Sequence, residues 1–143
     1  MDKKILFNKL ITFTASVERT VQELSKDAKP DMVTPVQFSI LQYITINKLV
    51  TLSQISHCED ISMSNASREI KKLENMDLIE KIDDIEDKRK QFIRLSRNGE
   101  IIMNTAFSHI ESRFLNIINK LCENNLEDIY NAIDLLNHSL FIR

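Results

Sequence analysis

Ser62, Ser64, Asn65, Ser67 and Arg68 fall in one short run, followed by Lys71 and Lys72. The amide of Asn65 and the guanidinium of Arg68 can each make paired hydrogen bonds, to an adenine edge and a guanine edge respectively. The serines are short donors suited to phosphates or bases, and Met63 has the character to touch a thymine methyl. A second basic run, Lys88, Arg89, Lys90, Arg94 and Arg97, contains no acidic residue between Lys88 and Arg97. The same residue types also make an ordinary solvated surface, so what they do depends on the elements that hold them.

Those elements can be read from local signals. Ala66, Ile70, Leu73 and Met76 recur at helical spacing and form a buried seam, which turns Asn65, Arg68, Lys71, Lys72 and Asn75 outward. Ser62 is placed to cap this helix. Upstream, Thr51-Leu52-Ser53-Gln54 has capping-box form and starts a short helix. Thr34-Pro35 starts another, with Thr at the cap and Pro in the first turn. Leu78 to Ile82 and Gln91 to Leu95 alternate apolar and polar residues as half-buried strands do, with a charged loop between them. Ser96-Arg97-Asn98-Gly99 reads as a link into the last helices.

The ordered series Thr51-Leu52-Ser53-Gln54-Ile55-Ser56, Ile61 to Arg68, Lys72-Leu73-Glu74, Leu78-Ile79-Glu80, Asp84-Ile85-Glu86-Asp87-Lys88-Arg89 and Leu95-Ser96-Arg97-Asn98-Gly99 resembles the MarR family of bacterial winged-helix regulators. The helix pattern is similar over nearly the whole chain, and the specific motifs occupy its middle third. The turn between the paired helices departs from the family pattern, with Glu59 and Asp60 where an apolar residue and a glycine are usual. Asp tolerates a left-handed backbone better than most residues.

The resemblance implies a mainly α fold, a winged helix-turn-helix with a small β-hairpin wing plus N- and C-terminal dimerisation helices. It divides the single domain 1–143 into a winged lobe, 34–99, and dimerisation helices at 1–28 and 100–143. It implies that Arg89 reaches the minor groove while Asp87 holds it by a charge-assisted bond. Lys88 and Lys90 are assigned to neutralising phosphates, where losing either weakens binding without changing sequence preference. The expected activity is sequence-specific binding of double-stranded DNA by a homodimer that represses at a pseudo-palindromic operator. Release by a small anionic or aromatic effector is part of that expectation, with Phe38, Tyr43, Phe107 and Phe114 as cleft candidates that also fit plain core. The alternative is a winged-helix dimer that has lost operator binding and docks a protein partner, motivated by the acidic Asp83, Asp84 and Glu86 of the wing and the Glu59-Asp60 turn.

The outer helices support pairing on their own pattern. Ile5, Leu6, Leu10, Phe13, Val17, Val21 and Leu24 make one stripe, and Ile101, Ile102, Ala106, Phe107, Ile110, Phe114, Ile117, Ile118 and Leu121 are too many for one core face. Leu126, Ile129, Ile133, Leu136 and Leu140 follow, in a helix running into the tail Leu140-Phe141-Ile142. A twin chain is expected to cover the excess through Leu6, Leu10, Phe13, Ile110, Phe114, Ile117, Leu136 and Leu140. Two reading helices about 34 to 36 Å apart would then match successive major grooves.

Composition bounds the rest. The 143 residues suit one small domain, and no apolar run approaches the roughly 18 needed to cross a bilayer. The start Met1-Asp2-Lys3-Lys4-Ile5 leads into an amphipathic pattern, so a cytoplasmic protein is expected, and the resemblance implies a bacterial one. A net charge of −2 argues against nucleic acid on average, but the basic runs gather where contact is expected. With one glycine there is no glycine-rich phosphate cradle. His57, His109 and His138 are scattered without catalytic or zinc spacing, so neither an enzyme nor a cofactor or metal is expected. Cys58 and Cys122 read as reduced, small, buried apolar residues. Relatives in the resembled family that sense oxidants use a cysteine in the first helix, where this chain has none.

Overall fold

In the computed structural model, which describes residues 1–87 and 89–141, the chain forms α1 (Lys3–Ser25), α2 (Pro35–Asn47), α3 (Leu52–Glu59), α4 (Met63–Asn75), β1 (Ile79–Asp83), β2 (Gln91–Leu95), α5 (Arg97–Ile118) and α6 (Glu123–Ser139). Two compact units result, one from residues 25–109 and one from residues 1–24 with 110–143. The fold is mainly helical with one antiparallel hairpin, as the sequence pattern predicts.

The unit from 25 to 109 has a true interior. Ile40, Leu41, Ile44, Ile55, Leu73, Leu78 and Met103 are completely buried, joined by Val50, Ala66, Ile70, Ile79 and Ile93. Its helix starts are set by hydroxyl caps. Thr34 Oγ1 accepts from Gln37 N while Gln37 Oε1 accepts from Thr34 N, and Thr51 and Gln54 repeat the arrangement at α3. Ser62 Oγ accepts from Asn65 N at the start of α4. These reciprocal bonds satisfy amides that a helix start leaves without partners.

The ends of α3 and α4 use aspartate rather than glycine. Asp60 (φ 53°) and Asp77 (φ 59°) take the left-handed conformation. Beyond them Ile61 N reaches Ser56 O and Leu78 N reaches Leu73 O, closing the free carbonyls. The departure at Glu59-Asp60 thus leaves the turn intact. Replacing Asp60 by glycine should stabilise the protein by about 0.5 kcal/mol, because the left-handed strain exceeds glycine's added chain entropy. A urea midpoint that falls would contradict this.

The hairpin pairs Ile79 with Leu95 through to Asp83 with Gln91. Val50 adds a third, one-residue edge, exchanging both backbone bonds with Ile93 at 3.0 and 2.7 Å. The first strand begins at Ile79 rather than Leu78, which instead closes the end of α4. The segment Arg97-Asn98-Gly99 is not a link but the first turn of α5. Ser96 Oγ caps it by accepting from Gly99 N, and it donates to Asp77 O at 2.6 Å.

The other unit has no comparable interior. Neither α1 nor α6 buries a single residue within one chain. Arg113 donates to the carbonyls of Glu23 and Leu24, closing the end of α1 onto the second half of α5. Among the described residues no helix is long and apolar enough to cross a membrane.

Candidate nucleic-acid interface

Helix α4 buries Ala66, Ile70 and Leu73, with Met76 half-buried at its end. That seam leaves Ser62, Ser64, Asn65, Ser67, Arg68, Lys71 and Lys72 exposed on the remaining surface. Arg68 Nη2 donates to Asn65 Oδ1 at 2.6 Å, one helical turn away. The bond fixes two planar hydrogen-bonding groups side by side while leaving the Asn65 amide hydrogens and further guanidinium donors available. Lys72 is not equivalent to its neighbours, because its Nζ lies 3.5 Å from Glu69 Oε1.

The wing holds its arginine from within. Asp87 Oδ1 accepts from both Arg89 N (3.0 Å) and Arg89 Nε (3.2 Å). The Arg89 side chain is nevertheless 93% exposed, so its outer nitrogens point into solvent from a braced stem. Asp84 is likewise engaged in the turn, accepting from Glu86 N, and Asp83 accepts from Gln91 Nε2. Lys90 is exposed, while Lys88 lies outside the described residues. Arg94 is tied across the hairpin to Glu80 at 2.6 Å, and Lys81 lies 3.9 Å from Glu74. Part of the basic charge visible in the sequence is therefore already matched by carboxylates on the hairpin and α4.

Several side chains that hold this surface carry no obvious signal in the sequence. Gln37, in the first turn of α2, donates through Nε2 to Glu69 Oε2 on α4. Ser39 Oγ on α2 donates to Glu59 Oε1 at the end of α3. One helix thus holds both halves of the helix-turn-helix. The Thr34-x-x-Gln37 spacing is a capping-box pattern that marks Gln37, but a partner 32 residues away is not readable from it.

Both cysteines are free, in line with the reduced state expected, but they are exposed rather than buried apolar residues. Although Cys58 is exposed as a residue, partial desolvation of its thiol and then the Glu59 carboxylate push its pKa above the usual thiol value. That keeps the sulfur protonated and slow to react near neutral pH. Of the cleft candidates, Phe38 is buried, and Tyr43 and Phe107 pack against the same core, so all three serve as core. Phe114 is exposed, in the other unit. Among the described residues no three His, Cys, Asp or Glu side chains gather as a metal site.

In the helical unit from 1–24 and 110–143, Leu6, Phe13, Phe114, Ile117 and Leu140 remain exposed, and Leu10, Ile110 and Leu136 half-buried. Phe13 and Leu136 line two adjoining apolar grooves of about 480 and 730 Å³.

Residues 33–90 match the family model described as MarR family. No curated protein matches. The fold is similar to that of a MarR family protein from Bacillus stearothermophilus, with TM-score 0.74, 17% identity and 98% coverage of both chains. It is also similar to MepR, a transcription regulator of the Staphylococcus aureus multidrug efflux pump MepA, with TM-score 0.63, 18% identity and coverage of 91% of this chain and 96% of that one. Bordetella bronchiseptica BpsR, whose DNA binding is regulated by 6-hydroxynicotinic acid, gives TM-score 0.61 at 17% identity, covering 91% and 98%. Residues 33–90 are thus similar in sequence to the MarR family, and over nearly its whole length the chain has the fold of MarR family proteins.

Proposed function

We propose that this protein is a DNA-binding transcriptional regulator, a repressor that acts as a cytoplasmic homodimer on a pseudo-palindromic operator. The observation that carries this reading is the pairing of exposed Asn65 and Arg68 on a capped helix, in the same unit as an exposed Arg89 braced by Asp87. Asn65 and Arg68 would read base edges in the major groove, with Ser62, Ser64, Ser67, Lys71 and Lys72 on phosphates and sugars. Arg89 would enter the minor groove, with Lys88 and Lys90 on the flanking backbone. Residues 34–99 would form the reading lobe. The helices of 1–28 and 100–143 would pair with a twin through their uncovered apolar side chains. Release by a small organic effector is the regulation proposed, in keeping with the regulation of BpsR by 6-hydroxynicotinic acid.

Of the wing acids that motivate the protein-docking alternative, Asp84 accepts from Glu86 N within the turn and Asp83 accepts from Gln91 Nε2, while Glu86 is exposed. The two readings separate in an anisotropy titration against duplex DNA at increasing salt. A dimer making six phosphate contacts should lose affinity with a log-log slope of about −5. Affinity that stays flat as salt rises would rule out operator binding.

A further inference from the structure

We infer that Gln37 is a positioning residue that sets the roll of the reading helix α4, an inference that rests on the proposed DNA binding. Gln37 is 5% exposed and uses both ends of its amide. Oε1 accepts from Thr34 N at 3.0 Å, and Nε2 donates to Glu69 Oε2 at 3.0 Å. The other Glu69 oxygen faces Lys72 Nζ at 3.5 Å. Glu69 immediately follows Arg68, between the buried seam and the exposed face of α4.

The seam of Ala66, Ile70 and Leu73 anchors α4 by apolar contact, which is non-directional and tolerates small rotations about the helix axis. A hydrogen bond to a carboxylate is directional and stronger than a neutral one. Gln37–Glu69 therefore fixes the angle at which Asn65 and Arg68 leave the surface, and paired hydrogen bonds to a base edge depend on that angle. The same bond draws a carboxylate of the reading helix back toward α2, away from where phosphates would lie. Lys29 Nζ donates to Pro30 O and Val33 O, so the stretch before Thr34 is also held. The route from that stretch to α4 is Thr34 N, the Gln37 amide and the Glu69 carboxylate.

The test uses a duplex selected by the wild-type protein from a random-sequence pool, with a scrambled duplex of equal length as reference. Gln37→Glu places two carboxylates face to face, and the ratio of selected to scrambled affinity should fall roughly tenfold. Glu69→Gln keeps an acceptor for the Gln37 amide, so the ratio should hold within about threefold while affinity for both duplexes rises. The double variant Gln37→Glu/Glu69→Gln rebuilds the bond with donor and acceptor exchanged, and should recover the wild-type ratio. Gln37→Met removes both bonds without adding charge and should show the same loss as Gln37→Glu, which covers the case where the charged single variant does not fold. A ratio unchanged in the folded Gln37 variants, or a double variant that stays impaired, overturns the inference. If the wild-type protein selects no duplex, the proposed function itself is overturned.

Discussion

Replacing Gly99 by alanine should lower stability by about 3 kcal/mol or more, a fall in melting temperature of roughly 6 to 12 °C at fixed protein concentration. A Cβ built at Gly99 would lie 2.0 Å from Leu78 O and 2.9 Å from its carbonyl carbon. These are backbone atoms, so no side-chain rotation relieves the overlap. The Leu78 carbonyl cannot easily retreat either, because it accepts from Ser96 N at 3.0 Å at the junction of β2 and α5. Any shift there also disturbs Ser96 Oγ, which caps the helix through Gly99 N and bonds to Asp77 O. Substitution of the adjacent exposed Glu100 by alanine provides the control, with a change within about 0.5 kcal/mol. A Gly99→Ala protein that melts with the wild type would show that the Leu78 carbonyl yields at little cost.

Phe13→Asp should produce the largest loss of DNA affinity of any single change in the helical unit. Phe13 is 42% exposed within one chain and lines both apolar grooves with Leu136. In an isolated chain an added carboxylate at so open a position is nearly neutral. Buried against a twin, the same carboxylate is desolvated without a partner, a penalty large enough to dissociate the pair. Light scattering after size exclusion should then report one 16.7 kDa chain instead of two. Affinity for a palindromic duplex should fall about 100-fold or more, since the second half-site is no longer reached at high effective concentration. A Phe13→Asp protein that remains dimeric and binds as before would remove this face from the proposed interface.

What was legible in the sequence was local. Thr34-Pro35, Thr51 with Gln54, and Ser62 announce helix starts because cap and capped amide lie within three residues, and each of these bonds is present. Period-two alternation likewise located the hairpin to within one residue. The difference at Gly99 has a tertiary cause: Ser96-Arg97-Asn98-Gly99 reads as a link, yet Gly99 sits in the first turn of α5, where only a hydrogen fits against Leu78 O. Glu59 was read as a departure in a turn, whereas it accepts a hydrogen bond from Ser39, 20 residues earlier. The Gln37–Glu69 bond is hidden for the same reason. At the candidate site, the exposed face of α4 followed from helical spacing, but the Asn65–Arg68 bond and the capture of Lys72 by Glu69 needed side-chain geometry. Cys58 and Cys122 are exposed despite the usual cysteine preference for burial, which says little about a particular helix end.

Helices α1 and α6 bury nothing within a single chain. Under the proposed pairing with a twin, such a segment would derive its persistence from mass action, so its resistance to heat and proteases should climb as copies accumulate. If the proposed function holds, abundance would become an input alongside any effector, and low expression would give silence rather than half-strength control.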